Sequence, residues 1–404
     1  MKSGCLISFR AIGVMVYLLV LVYLGLNWVC FDIYKYQKRQ FFYLLELVVL
    51  ILFSGLSYRV GGDLQIYFHD YEIVPTINNY DKLKYDEYLR FWSYAPLWNL
   101  IFSLSKTIYS DFAFFHFLHA IFVNCGLFYI FKKYCKNYFF AVFIYFLTWS
   151  YCYYNFEILR ESECILIFLL TLGFWQRKKM FLYYLVACVA FLFHYSAVML
   201  FLMPMLFYIV GSKFNLKVVL IIITSLVLLS NLNIFIGFLF YIAKLFNKEI
   251  LIVKITTYII NVETTNFNGL LFILLKAFFD VLVLCVQERK REKTFWRTAV
   301  VCHLVFTCLG IYYHTMFGRL LNYLDILLCI SIVRLFDFKK TKKIAIFSFR
   351  RISTIILLFF LLNTVYFLFK GSANYHTYQL YYPYTTIIDG NVNDALRNYI
   401  YKDY

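Results

Sequence analysis

Long apolar runs of about 15 to 20 residues follow one another down the chain, separated by short polar clusters. An α-helix needs about 20 residues to cross a ~30 Å hydrocarbon core, so the pattern predicts membrane-spanning helices. They fall near 12–30, 41–57, 112–131, 138–154, 158–175, 181–194, 197–210, 217–231, 269–286, 297–314, 320–336 and 346–369. Strands of a membrane β-barrel would alternate apolar and polar positions, whereas these runs are apolar on every face. The expected fold class is therefore all-α: a polytopic integral membrane protein of about twelve transmembrane helices forming a single domain over 1–404. Outer loops are expected at 58–111 and 231–268, with an outer C-terminal tail at 371–404.

Two segments depart from the pattern. Ala95 to Ile108 is apolar but short, with Pro96 near its start and Asn99, Ser103, Ser105 and Lys106 interspersed. It reads as a re-entrant or interfacial helix on the outer side. Asn231 to Asn268 mixes the apolar run Ile234 to Ala243 with Lys244, Lys248, Glu249 and Lys254, and reads as an outer amphipathic loop.

Composition agrees with the class, since 63% hydrophobic and 15% charged residues exclude a soluble globular domain. Charge then sets the orientation. Asp32 to Gln40, Lys132 to Asn137, Gln176 to Met180, Gly211 to Lys217, Gln287 to Arg297 and Arg334 to Arg351 hold far more Lys and Arg than Asp and Glu. The opposite side has as many acids as bases. The first set is thus expected to be cytoplasmic, with both termini outside. The net charge of +17 belongs to the inner face, where it suits anionic headgroups of the lipid bilayer and gives no argument for nucleic acid.

The eleven cysteines lie mostly within spans and form no Cys-x-x-Cys, so neither a disulfide framework nor a thiolate metal site is indicated. No metal and no cofactor is expected. Val14 to Leu26 is not followed by a small-residue cleavage site and is expected to remain as the first span.

The unusual polar residues gather on the predicted outer side. Arg59-Val-Gly-Gly-Asp63 follows the second span, and Asp63, Tyr67 and Tyr71 recur every four residues, one face of a helix. A glycine turn with interfacial tyrosines would read the same way. Glu157, Arg160, Glu161 and Glu163 flank the start of an apolar segment. Arg160 can meet Glu157 and Glu163 at i±3, but a structural ion pair needs one acid and here there are three. His194-Tyr195-Ser196 marks the junction of the sixth and seventh spans, and is either a hydrogen-bonded interfacial residue or part of a site. His314, Arg319, Asn322 and Tyr323 lie at the eleventh, where Arg319 and Tyr323 share a face. The tail carries Tyr381-Tyr382-Pro383-Tyr384, which suits either carbohydrate contact or packing. Arg59, Arg160 and Arg319 point to an anionic ligand such as a phosphate or pyrophosphate, which the planar guanidinium fork binds through two oxygens.

The order of these motifs resembles the EpsG-like family of bacterial polysaccharide polymerases. The matching stretches are Gly61-Gly62-Asp63 with Tyr67, Arg160-Glu161, Ala187 to Ala197 containing His194 and Ser196, and Arg319 with Tyr323. The resemblance covers roughly residues 10–385. Two departures stand out: Glu161 replaces a usual Gln, and Ala95-Pro96 replaces a usual Glu-Pro. The family resembles Wzy-type polymerases. The implied reaction is transfer of a growing chain from one undecaprenyl-pyrophosphate-linked oligosaccharide donor to an acceptor repeat unit, at the outer face of the bacterial inner membrane. The product would be capsule, O-antigen or exopolysaccharide, and the expected protein partner is a chain-length regulator. Asp63, Arg160, His194 and Arg319 are the expected catalytic residues; Arg59, Tyr67, Glu161, Glu163, Tyr323 and Tyr382 are the expected substrate contacts. Two other activities stay open, a flippase for lipid-linked oligosaccharide and an O-acyltransferase or ligase.

Overall fold

A computed structural model describes residues 16–84, 95–210, 267–290, 294–311 and 314–336, with 358–359, 361–362, 364–365, 371–372, 375–376, 378–382, 384–389 and 397 of the remainder. The described residues are all-α apart from a two-residue strand pair, Gly371–Ser372 with Tyr375–His376. The chain divides into two compact units, Met1–Val198 with Lys339–Tyr404, and Met199–Phe338.

The first unit contains α1 (Val16–Ile33), α2 (Arg39–Gly55), α3 (Gly62–Ile73), α4 (Pro96–Ile108), α5 (Phe112–Tyr134), α6 (Tyr138–Leu147), α7 (Ser150–Phe156), α8 (Leu159–Gln176) and α9 (Met180–Phe193). The second contains α10 (Val198–Val210), α11 (Phe267–Lys290), α12 (Thr294–Leu309) and α13 (His314–Leu335). Among the described residues, α1 and α5 are long and apolar enough to cross a membrane by length and composition. The expected spans near 217–231 and most of 346–369, and the loop 231–268 up to residue 266, lie outside the described residues.

Local chemistry sets the helix ends. Asp111 caps α5 by accepting the Ala113 amide at 2.8 Å, and Lys132 and Lys133 occupy its last turn, where the helix dipole favours cations. Pro96 opens α4 at a position where a missing N–H costs nothing. A correction concerns the expected span 138–154: it is broken, because Trp149 takes φ 64° and separates α6 from α7. Neither piece is long enough to cross a bilayer alone.

Helix direction follows from contacts. Tyr43 Oη of α2 donates to the Phe128 carbonyl of α5 at 2.8 Å, while Gly55 lies against Phe117, so the two helices are antiparallel. The segment between α2 and α5 therefore begins and ends at the same end of the pair. At 13 residues α4 spans about 20 Å. It packs on α3 and α5 through buried Trp98 and Phe102, whose rings meet Tyr67, Tyr71 and Phe115. At the opposite end two of the lysine-rich turns meet: Lys35 donates to Asn137 at 3.3 Å, Lys132 to Gln40 at 2.6 Å, and Arg39 to the Lys136 carbonyl at 2.7 Å. Asp32, paired with Arg39, also accepts the Phe140 amide at 2.8 Å and so fastens the α1–α2 turn to α6.

Candidate active site

The turn before α3 is shaped by Gly61. Its φ of 99° is a conformation L side chains rarely adopt, and a Cβ there would lie 2.6 Å from the Phe156 carbonyl oxygen. Arg59, two residues earlier, also has positive φ (50°), and its Nε donates to Gln65 at 2.5 Å while its guanidinium lies 5.3 Å from the Phe68 ring centre.

The start of α3 is closed by Glu157. Its two carboxylate oxygens accept the Gly62 and Asp63 amides at 2.7 and 2.8 Å, satisfying donors that a helix N-terminus leaves open. Glu157 sits between α7 and α8, and burial together with the nearby Asp63 carboxylate pushes its pKa up to about 7, against the opposing pull of the two amides. The expected i−3 pairing of Arg160 with Glu157 is not the partnership seen here. The helix of Arg160 starts only at Leu159, and the Glu157 carboxylate turns to α3 instead.

Arg160 reaches α3 by another route. Its guanidinium carbon lies 5.4 Å from the ring centre of Tyr67, a buried residue that also packs against Trp98. Two contacts thus tie α3 to the α7–α8 junction: Glu157 with the Asp63 amide, and Arg160 with the Tyr67 ring. Glu161 and Glu163 are buried on α8, and the Oε2 of Glu163 has no hydrogen-bond partner among the described residues.

His194 stands at the end of α9. The turn between α8 and α9 is short, and Cys164 Sγ donates to the Ala190 carbonyl at 3.2 Å, so the end of α9 lies beside the start of α8. The His194 Nδ1 accepts the Ser196 amide at 3.3 Å and contacts Ser196 Oγ at 2.7 Å. A nitrogen that accepts an N–H carries no proton, so in this arrangement Nε2 carries it.

A polar ladder on α5 supports the α7–α8 junction. His116 Nε2 donates to the Asn155 carbonyl at 2.8 Å and His119 Nε2 to the Leu159 carbonyl at 3.2 Å, with Ser162 Oγ 3.1 Å away. Asn124 donates to Asn155 Oδ1 at 3.0 Å. Sequence reasoning passed over these three, though their common position on one side of an otherwise apolar helix was the signal.

The tail completes the loop. Thr385 accepts the Tyr58 amide through its carbonyl at 2.8 Å and donates its hydroxyl to the Tyr58 carbonyl at 2.6 Å; Leu380 accepts the Gly61 amide at 2.9 Å. Arg397, fully buried, donates to Thr385 Oγ1 and the Leu380 carbonyl, both at 2.9 Å. Tyr384 stacks on Phe53 at 4.9 Å and Tyr381 is buried, so these two tyrosines pack. Tyr382 is half-buried. Arg319 (half-buried) and Tyr323 (fully buried) belong to α13 of the second unit, which begins at His314 rather than at Arg319.

A model of the EpsG family matches residues 40–386, most of the chain. The chain belongs to the EpsG family. This is a polysaccharide polymerase-like family, which makes the chain a membrane protein of polysaccharide biosynthesis. No curated protein and no solved structure matches it. The family match spans the glycine turn, Glu157, Arg160, His194 and the tail segment that pairs with the turn.

Proposed function

We propose that this EpsG-family protein polymerises undecaprenyl-pyrophosphate-linked repeat units into a capsular, O-antigen or exopolysaccharide chain at the outer face of the bacterial cytoplasmic membrane. The observation that supports the reading is the junction of α3 and α8, where Glu157 accepts the Asp63 amide and the Arg160 guanidinium lies over Tyr67, one turn beyond Asp63 on the same helix. An acid and a guanidinium at one helix junction match the two needs of the transfer. The sugar C1–O bond to pyrophosphate breaks, the acceptor hydroxyl oxygen bonds to C1, and the hydroxyl proton passes to a base.

Asp63 is assigned as that base, and Arg160 as the group that receives the negative charge growing on the leaving pyrophosphate. Arg59 assists it from the glycine turn. Tyr67, Glu161, Glu163 and Tyr382 are assigned to sugar and headgroup contact. His194, with its proton on Nε2, suits hydrogen-bond donation to substrate better than proton abstraction. Arg319 and Tyr323 are assigned to the same reaction, and Arg319→Lys in a polymerisation assay tests that role separately. No cofactor or metal enters the scheme.

A deletion strain analysed by polysaccharide gel separates the activities. A lost polymerase leaves single repeat units, a lost flippase leaves none outside, and a lost acyltransferase leaves chain length unchanged. Cysteine-accessibility labelling tests the orientation: positions 63, 194 and 382 should label from outside and 289–293 from the cytoplasm. Labelling of position 63 from the cytoplasm alone would remove the outer-leaflet reaction.

A further inference from the structure

The second unit carries an ionisable cluster that the proposed reaction does not use. Three helices supply it: Lys276 and Asp280 from α11, His303 from α12 and Asp325 from α13. His303 Nδ1 lies 2.7 Å from Asp280 Oδ2 and its Nε2 lies 3.0 Å from Asp325 Oδ1. Lys276 Nζ stands 3.6 Å from the same Asp325 oxygen. Every member is near the middle of its helix, among apolar residues, where an ionisable group in a membrane protein is a functional-site candidate.

Proton counting decides what the cluster holds. Each of the two short N···O contacts needs a hydrogen between its atoms. A neutral imidazole supplies one, and two ionised carboxylates supply none. The geometry is satisfied only by one additional proton, either on the ring, making an imidazolium, or on one of the aspartates. That proton also balances the charge, since Lys276 and an imidazolium together offset two carboxylates. Without it a net negative charge and a lone pair facing a carboxylate would remain in the interior.

We propose that His303, clasped between Asp280 and Asp325, is a proton-binding site of the second unit, entered from the Asp325 side. The side chains of His303 and Asp280 are fully buried, whereas those of Asp325 and Lys276 are 30% and 25% exposed. Asp280 Oδ1 has no partner among the described residues and leaves one acceptor open at the sealed end. Among the described residues, the other titratable groups near the cluster are Cys308 of α12, by Asp280, and Cys329 of α13, by Asp325. A proton suits the site better than a metal ion. Among the described residues no group of three or more His, Cys, Asp or Glu could hold a metal, and the Lys276 ammonium already faces Asp325.

The test is nitrogen NMR of the full chain in nanodiscs with ¹⁵N-labelled histidine at pH 8, where a free imidazole, with a pKa of about 6.5, is neutral. His303→Gln identifies the signal. Two protonated ring nitrogens on His303 support the site. So does one bare nitrogen accompanied by a carboxylic-acid C=O infrared band that Asp280→Asn or Asp325→Asn removes. One bare nitrogen with no such band overturns it, as does a doubly protonated ring that persists when Asp280→Asn and Asp325→Asn are combined. Should a variant fail to fold, the wild-type spectra still decide.

Discussion

The Glu157 carboxylate accepts the Asp63 amide at 2.8 Å, across 94 positions of sequence, and so fixes the first turn of the helix that presents the proposed base. The bond makes Glu157 a positioning residue with its own pH signature. Its pKa near 7 means that acidification protonates it and weakens an acceptor holding two amides. Polymerisation should fall as pH drops through about 7 in the wild type and be lower and flatter there in Glu157→Gln. Stability should run the other way. A carboxyl whose folded pKa is raised contributes stability below its unfolded value, and that contribution is lost as pH rises through about 7. Melting curves of wild type minus Glu157→Gln check the sign, and parallel movement of activity and stability would contradict it.

Gly61→Ala should strongly impair chain growth. The added methyl meets both a positive φ and the Phe156 carbonyl, so the turn carrying Arg59 and leading to Asp63 must shift. Membrane insertion should persist, as read by membrane fractionation alongside the polysaccharide gel.

Arg160→Lys keeps a charge but loses the planar fork and its face over Tyr67. Long chains should become scarce while expression stays normal. Long chains at wild-type level would reduce Arg160 to a structural partner.

His194→Ala removes both the Ser196 cap and the Nε2 donor. His194→Gln still offers a donor but no proton acceptor near neutral pH. The alanine variant should slow polymerisation and the glutamine variant should restore much of it. A loss of about 10²–10⁴-fold in the glutamine variant as well would return the role of base to His194.

Arg397→Ala leaves Thr385 Oγ1 and the Leu380 carbonyl without their charged donor. Hydrogen bonds to charged groups contribute about 1.5–3 kcal/mol each, so the tail should loosen and become protease-sensitive before the rest of the first unit. Limited proteolysis followed by mass spectrometry reads this directly.

Residues whose meaning is local were legible in the sequence. Gly61, Asp63, Tyr67 and Arg160 announced themselves as a glycine turn, a helical repeat and a charge in an apolar run. The short helix α4, opened by Pro96, was readable from the sequence as well. The break at Trp149 was not, since 138–154 is apolar without glycine or proline to punctuate it. The hold of Glu157 on α3 was not legible, because sequence proximity offers Arg160, whereas the α3 amides become available only in the folded chain. Likewise the tyrosines of the tail gave no sign that Tyr384 would stack on Phe53. His303 escaped notice for the same reason, its partners lying on two other helices.

The pairing of Thr385 with Tyr58 sets a timetable for biogenesis. The two residues are 327 positions apart, and at about 5–20 residues per second the ribosome needs roughly 15–65 s to supply the second after the first. Throughout that interval the Arg59–Gly61 turn has already emerged but lacks the tail segment that holds it. A translation product ending before residue 378 would carry the charged residues of the junction without this brace. Premature stop codons late in the reading frame should therefore yield inserted but inactive chains, rather than shortened polymerases with partial activity.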